Sequence, residues 1–163
     1  MTPIQLIRAF SVFANGGKLV KPYLVDKIVN SEEVILDNSL EVQDQVVSEK
    51  TASEVRDMLV SVVENGFGKK AKVPGYYVGG KTGTAQVSFS SMGVNKSGYS
   101  EKTIQTFIGF APAYSPEFII LVKLDNPNTR TAEYSAVPIF RELAEYVINY
   151  YQIPPDYNEE EEW

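Results

Sequence analysis

The alternation of apolar and polar positions divides the chain into a helix, short strands, a second helix, three consecutive strands and a closing helix. Thr2-Pro3-Ile4-Gln5 predicts a helix start: Thr2 caps, Pro3 fits the first helical position, and Gln5 stands three residues on for a reciprocal hydrogen bond. Leu6, Phe10 and Phe13 fall on one face, and Asn15-Gly16-Gly17 stops the helix. Two β-prone runs, Tyr23-Leu24-Val25 and Val34-Ile35-Leu36, flank the polar turn Asn30-Ser31-Glu32-Glu33 and predict a hairpin or two short strands. A second helix is capped at Ser48 or Thr51, carries Val55, Met58, Leu59, Val62 and Val63 as its apolar stripe, and ends at Asn65-Gly66.

Tyr77 to Ser88 reads as a strand, followed by a loop rich in Ser, Gly and Asn from Ser88 to Lys102. Ile104, Thr106, Ile108 and Phe110 alternate with their neighbours, the turn Ala113-Tyr114-Ser115-Pro116 follows, and Phe118 to Leu124 is almost wholly apolar, so these two strands predict an antiparallel pair. The last helix runs from about Tyr134 to Tyr151 with Phe140, Leu143, Ala144, Val147 and Tyr151 on one face, and Pro154-Pro155 ends it. Consecutive strands grouped between helices predict an α/β protein of the α+β type, an antiparallel sheet flanked by helices. They argue against the strand-helix alternation of a parallel nucleotide-binding fold. One domain is expected over residues 1–153, with residues 154–163 as an acidic, solvated, disordered end.

Charge changes this picture little. The formal net charge is -6, but Asp156 and Glu159 to Glu162 supply five of the 21 acidic residues, leaving 16 against 15 basic ones. A nearly neutral body lacks the basic stripe that nucleic acid requires. The absence of histidine and cysteine matters more. It removes the Ser-His-Asp arrangement, thiolate and imidazole metal sites and imidazole base catalysis, so acid and base work falls to Lys, Glu, Asp or Tyr. No cofactor and no metal is expected. No apolar run of about 18 residues could span a bilayer, and Met1 is followed by a helix start in place of a signal peptide.

The segment Gly75 to Val87, GYYVGGKTGTAQV, supports two chemistries. Gly75, Gly80, Lys81 and Thr82 satisfy the spacing of a phosphate loop. Such a loop needs a buried strand before it and a helix beginning at Lys-Thr. Here Val73-Pro74 precedes it, Tyr76, Tyr77 and Val78 fill it, and Gly83-Thr84-Ala85-Gln86-Val87 favours a strand. Lys81-Thr82-Gly83 is also the Lys-Thr-Gly element of serine-acylating enzymes. In that reading Gly79, Gly80 and Gly83 leave one face of the strand bare for an extended peptide, Thr82 and Thr84 offer hydroxyls to a carboxylate, and Lys81 supplies positive charge. A glycine-rich strand with a solvated lysine is the plain alternative.

Four segments in one order extend the match: Thr2 to Gly17, Gly79 to Gln86, Thr106 to Ala113 (TFIGFAPA) and Val137 to Phe140 (VPIF). Together they resemble the C-terminal half of the transpeptidase domain of class B penicillin-binding proteins, bacterial cell-wall enzymes that cross-link peptidoglycan. One departure is Glu133-Tyr134, where many members carry Gly-Gly. Serine β-lactamases share Lys-Thr-Gly but resemble the other segments less.

The resemblance implies a site in which Lys81 provides charge and a proton path, Thr82 and Thr84 hold the substrate carboxylate, Gly83 keeps the strand bare, and the Thr84 amide is one oxyanion donor. Such a donor contributes about 3 kcal/mol to the transition state. The loop from Ser88 to Lys102 would border the cleft. Implied partners are the D-Ala-D-Ala end of a stem peptide and β-lactams, with no nucleic acid and no nucleotide. The implied location is the outer face of the bacterial inner membrane. The family's Ser-x-x-Lys and Ser-x-Asn elements do not occur in this sequence. The expectation is therefore a segment of a larger transpeptidase, inactive alone, with apolar surface exposed on its first helix. A stand-alone, non-catalytic peptide-binding or assembly module of the same fold is the alternative.

Overall fold

The computed structural model describes residues 1–31, 33–38 and 44–157. Helix α1 (Pro3–Ala14) starts with the expected reciprocal cap: the Gln5 amide donates to Thr2 Oγ1 at 3.3 Å, and the Thr2 amide donates to Gln5 Oε1 at 2.8 Å. Helix α2 (Glu49–Asn65) is capped by Ser48, whose hydroxyl accepts from the Thr51 amide at 3.1 Å. Between them lie β1 (Lys18–Leu19), β2 (Lys27–Val29), β3 (Val34–Asp37) and β4 (Asp44–Gln45), with β1 paired to β4 and β2 to β3, both antiparallel.

The hairpin forms, but Tyr23-Leu24-Val25 is not its first strand. The Asn30 side chain accepts from the Glu33 amide at 2.7 Å and the Asn30 amide donates to the Glu33 carbonyl at 3.0 Å. A turn closed this tightly pairs the residues immediately beside it, Val29 with Val34 and Ile28 with Leu36, so the strand moves to Lys27–Val29.

The main sheet comprises β5 (Gly79–Ser88), β6 (Tyr99–Ala111) and β7 (Phe118–Asp125) in that order, all antiparallel. β5 is an edge strand. Helices cover both faces. On one, Leu59 and Val60 of α2 pack with Phe110 and Ala113, flanked by Phe10 and Phe13 of α1. On the other, Phe107 and Val122 meet Val137, Phe140 and Ala144 of α3 (Ala136–Tyr151). Phe107 and Phe140 make an edge contact with centroids 4.7 Å apart.

The helical stripes differ in detail from expectation. In α2, Met58 is exposed and Val60 buried; in α3, Leu143 and Tyr151 are exposed and Ile148 buried. α3 starts at Ala136, after a short 3₁₀ turn at Ala132–Tyr134. On α1 only Ser11 and Val12 are buried, and Ile4 is half exposed. Residues 154–157 are tied back to the sheet's root: the Asp156 amide donates to the Gly75 carbonyl at 2.9 Å, and the Tyr77 amide donates to Asp156 Oδ2 at 2.8 Å. No helix among the described residues is long and apolar enough to cross a membrane.

Candidate functional site

Lys81 and Thr82 lie inside β5, paired with Ile108 and Phe107, and no helix starts there. That geometry removes the phosphate-loop reading, which depends on a helix N-terminus at the Lys-Thr step. Because strand side chains alternate, Thr82 and Thr84 share one face with Phe107 and Gln105, and Lys81 and Gly83 share the other with Ile108 and Thr106. β5 pairs on one side with β6 and with no strand among the described residues on the other. Alternate residues of an edge strand present unpaired N–H and C=O groups, the geometry that strand addition uses.

The glycines are not bare on one common face. Gly79 and Gly83 lie on one side and Gly80 on the other, as the period of two requires. Each space is filled from within the molecule. A Cβ on Gly79 would stand 2.6 Å from Phe110, one on Gly80 2.4 Å from Phe107, and one on Gly83 2.5 Å from Thr106 Oγ1. The packing of the sheet itself therefore demands glycine at 79 and 80, while at 83 the space is taken by a threonine hydroxyl.

Lys81, Thr82 and Thr84 line a cleft of about 310 Å³ with Phe67, Thr131, Ala132 and Glu133. Lys81 is exposed, and its Nζ donates to the adjacent Thr82 carbonyl at 2.9 Å. The Thr84 hydroxyl accepts from the Ala132 amide at 3.2 Å. With a lone pair engaged there, its O–H proton is left to donate to an acceptor such as a carboxylate. No residue from Ser88 to Lys102 lines the cleft, and that stretch is mostly structured: a 3₁₀ turn at Ser90–Met92, then β6 from Tyr99. A larger cavity of about 550 Å³ lies elsewhere, between Glu117-Phe118 and the C-terminal end of α3, and holds neither the lysine nor the threonines.

The wall opposite β5 is held by Gln105, which is fully buried. Its amide nitrogen donates to the Thr129 carbonyl at 2.7 Å and to Thr103 Oγ1 at 3.0 Å. Its carbonyl oxygen accepts from the hydroxyls of Thr129 at 2.9 Å and Ser135 at 2.5 Å. All four hydrogen-bonding positions of the amide are filled. The segment 129–135 is thereby fixed next to Thr84, and Ser135 caps no helix because its hydroxyl is spent on Gln105.

Sequence reasoning identified the β5 side of the cleft and missed this wall and Phe67. Two signals were available: the Glu133-Tyr134 departure, and a phenylalanine set between two glycines just past the α2 terminus. The perturbed acids lie outside the cleft, and two of them, Tyr76 and Asp156, stand at the root of β5. Burial raises the phenol pKa of Tyr76, with the Asp156 charge adding to it, and burial raises that of Asp156 despite the Tyr77 amide bond, which lowers it. No cluster of acidic side chains suited to a metal occurs among the described residues.

Comparison with known proteins gives a consistent result. The sequence profile of the penicillin binding protein transpeptidase domain matches residues 1–145. The chain is 42% identical over 131 residues to stage V sporulation protein D of Bacillus subtilis, covering 78% of this chain and 19% of that protein. It is 34% identical over 171 aligned residues to a peptidoglycan D,D-transpeptidase FtsI homolog of Mesostigma viride, covering 95% of this chain and 28% of that one. Penicillin binding protein 3 of Mycobacterium tuberculosis, solved in complex with ampicillin, superimposes with a TM-score of 0.82 at 31% identity over 98% of this chain and 37% of that structure. The chain spans between about a fifth and about a third of the lengths of the curated relatives it matches.

Proposed function

The chain belongs to the penicillin-binding-protein transpeptidase family, among its class B members, and we propose that β5 is the strand on which it receives the D-Ala-D-Ala end of a peptidoglycan stem peptide. The observation that carries this reading is the convergence of Lys81, Thr82 and Thr84 on one cleft beside an open strand edge. Thr82 and Thr84 donate hydroxyl protons to the peptide carboxylate, and Lys81 balances its charge. The peptide backbone lies along β5, and the Thr84 amide is one of two oxyanion donors. β-Lactams enter as mimics of the same carboxylate-bearing end. Residues 1–153 form the transpeptidase portion, working at the outer face of the bacterial inner membrane.

The reaction is acyl transfer. A serine hydroxyl attacks the carbonyl between the two D-alanines, the terminal D-alanine leaves with the proton, and an amine of a second stem peptide takes the acyl group, restoring the serine. The nucleophile belongs to Ser-x-x-Lys and its neighbour to Ser-x-Asn, and neither element is in this sequence. This chain contributes carboxylate binding, orientation and half of the oxyanion site, and acts with a segment carrying the other two elements.

Intact-mass spectrometry after incubation with a penicillin tests the reading. The chain is assayed alone and mixed with a separately expressed transpeptidase segment bearing Ser-x-x-Lys and Ser-x-Asn. The expected adduct appears only in the mixture, on the added segment, and is lost with Lys81→Ala. An adduct on this chain alone would place a nucleophile among its own serines and overturn the assignment.

A further inference from the structure

Two charges of opposite sign line the cleft, and neither is neutralised by an ion pair among the described residues. Lys81 is one and Glu133 the other. Beside the turn, Lys70 Nζ stands over the Tyr134 ring, 3.6 Å from its centroid, and makes no ion pair with Glu133. Glu133 is also not on a loose loop. Its turn is closed by the Tyr134 amide donating to the Thr131 carbonyl at 3.1 Å and the Ser135 amide donating to the Ala132 carbonyl at 3.2 Å. The turn is bound to Thr84 through the Ala132 amide and anchored on both flanks by the buried Gln105. The backbone from which the Glu133 side chain reaches into the cleft is thus held in place beside Thr84. Phe67 completes the wall, with 74% of its surface exposed.

An unpaired carboxylate on an anchored turn beside a carboxylate-binding pocket acts against any ligand that brings negative charge alone. It favours one that also brings a cation, and an exposed aromatic face adds to that preference, because cations are attracted to the ring. Attraction for one ligand class and repulsion of another then come from the same side chain. We propose that this cleft selects zwitterionic ligands: the carboxylate end of a short peptide at Lys81, Thr82 and Thr84, and an ammonium group of the same peptide at Glu133 and Phe67. The inference rests on the carboxylate reading of β5 given above and adds the second pole.

The test is a titration of the full chain, followed by nuclear magnetic resonance of its amides, with two peptides that differ by one charge. Both are Nα-acetyl-L-lysyl-D-alanyl-D-alanine, one with its ε-amine free and one with it acetylated. The flexible four-carbon stem lets the ammonium search the wall. The free-amine peptide is expected to bind about two- to fivefold more tightly, the range of an exposed charge pair. That ratio should fall to about one in Glu133→Gln, whose unchanged spectrum reports an intact fold, and should shrink as salt screens the pair. Lys81→Ala should weaken both peptides. Equal affinity for the two peptides, both weakened by Lys81→Ala, would overturn the zwitterion inference and leave the carboxylate reading standing. Absence of shifts at millimolar peptide, or affinities indifferent to Lys81→Ala, would remove the carboxylate reading and the inference with it.

Discussion

The β2–β3 hairpin and the β5–β6–β7 sheet are written in similar residues and end in opposite environments. In the sheet, Phe107, Ile108 and Phe110 of β6 are buried, because α3 covers one face and α1 with α2 the other. In the hairpin, Ile28, Val29, Val34, Ile35 and Leu36 are all exposed, and a Lys27 to Asp37 ion pair of 3.5 Å and the Asn30 turn hold it. Branched apolar residues select extended backbone in both places. Burial is decided elsewhere, by whether an amphipathic helix with a matching stripe returns to cover the strand. A two-stranded ribbon without such a cover is only marginally stable by itself.

This contrast implies a ranking of substitutions. The largest loss is expected from Gly80→Val, which drives a branched side chain into the buried Phe107 ring: about 3 kcal/mol of unfolding free energy, measured by urea denaturation. Gln105→Leu keeps the volume but strands the hydroxyls of Thr129 and Ser135 and the Thr129 carbonyl. It should cost about 2 kcal/mol and speed hydrogen exchange at the Ala132 amide. Little effect on that amide would show that segment 129–135 is held by something other than Gln105.

Asp156→Asn is expected to act in the other direction. Burial raises the Asp156 pKa in the folded chain, outweighing the Tyr77 amide bond, so folding favours the protonated form. The contribution of this carboxyl is fully present below its unfolded pKa and is lost as pH rises through the folded one. The asparagine variant should therefore melt slightly higher than the parent at pH 7, with the gain disappearing toward pH 3. A gain that grew on acidification would reverse the sign. Smallest of all, Ile35→Thr in the hairpin should change stability by less than about 0.5 kcal/mol, because little apolar surface returns to water. A loss of 2 kcal/mol there would break the comparison by showing that the hairpin is covered in solution.

The parts legible in the sequence are those governed by neighbours along the chain. The Thr2-Gln5 cap, the stop at Asn15-Gly16-Gly17, the order of elements and the placing of Lys81, Thr82 and Thr84 on a strand all follow from local spacing. The wall of the cleft depends on Gln105, whose partners Thr129 and Ser135 stand 24 and 30 residues away. Within β6 that glutamine occupies a polar slot in an apolar alternation, and only the fold shows that the slot faces inward. Register was hidden for a related reason. Tyr23-Leu24-Val25 has strand propensity, but the turn at Asn30 determines which residues can meet Val34.

The glycines of the main sheet limit the order in which the sequence can change. Gly80 is vacant because Phe107 occupies its side-chain space, and Gly109 because Phe140 does, with ring atoms 2.4 and 2.8 Å from where a Cβ would stand. A side chain can be acquired at position 80 only after position 107 has become smaller, whereas a smaller residue at 107 costs core packing until position 80 fills the gap. Each pair is a two-step exchange with a destabilised intermediate, so the aromatic rings and the empty positions beneath them are inherited together.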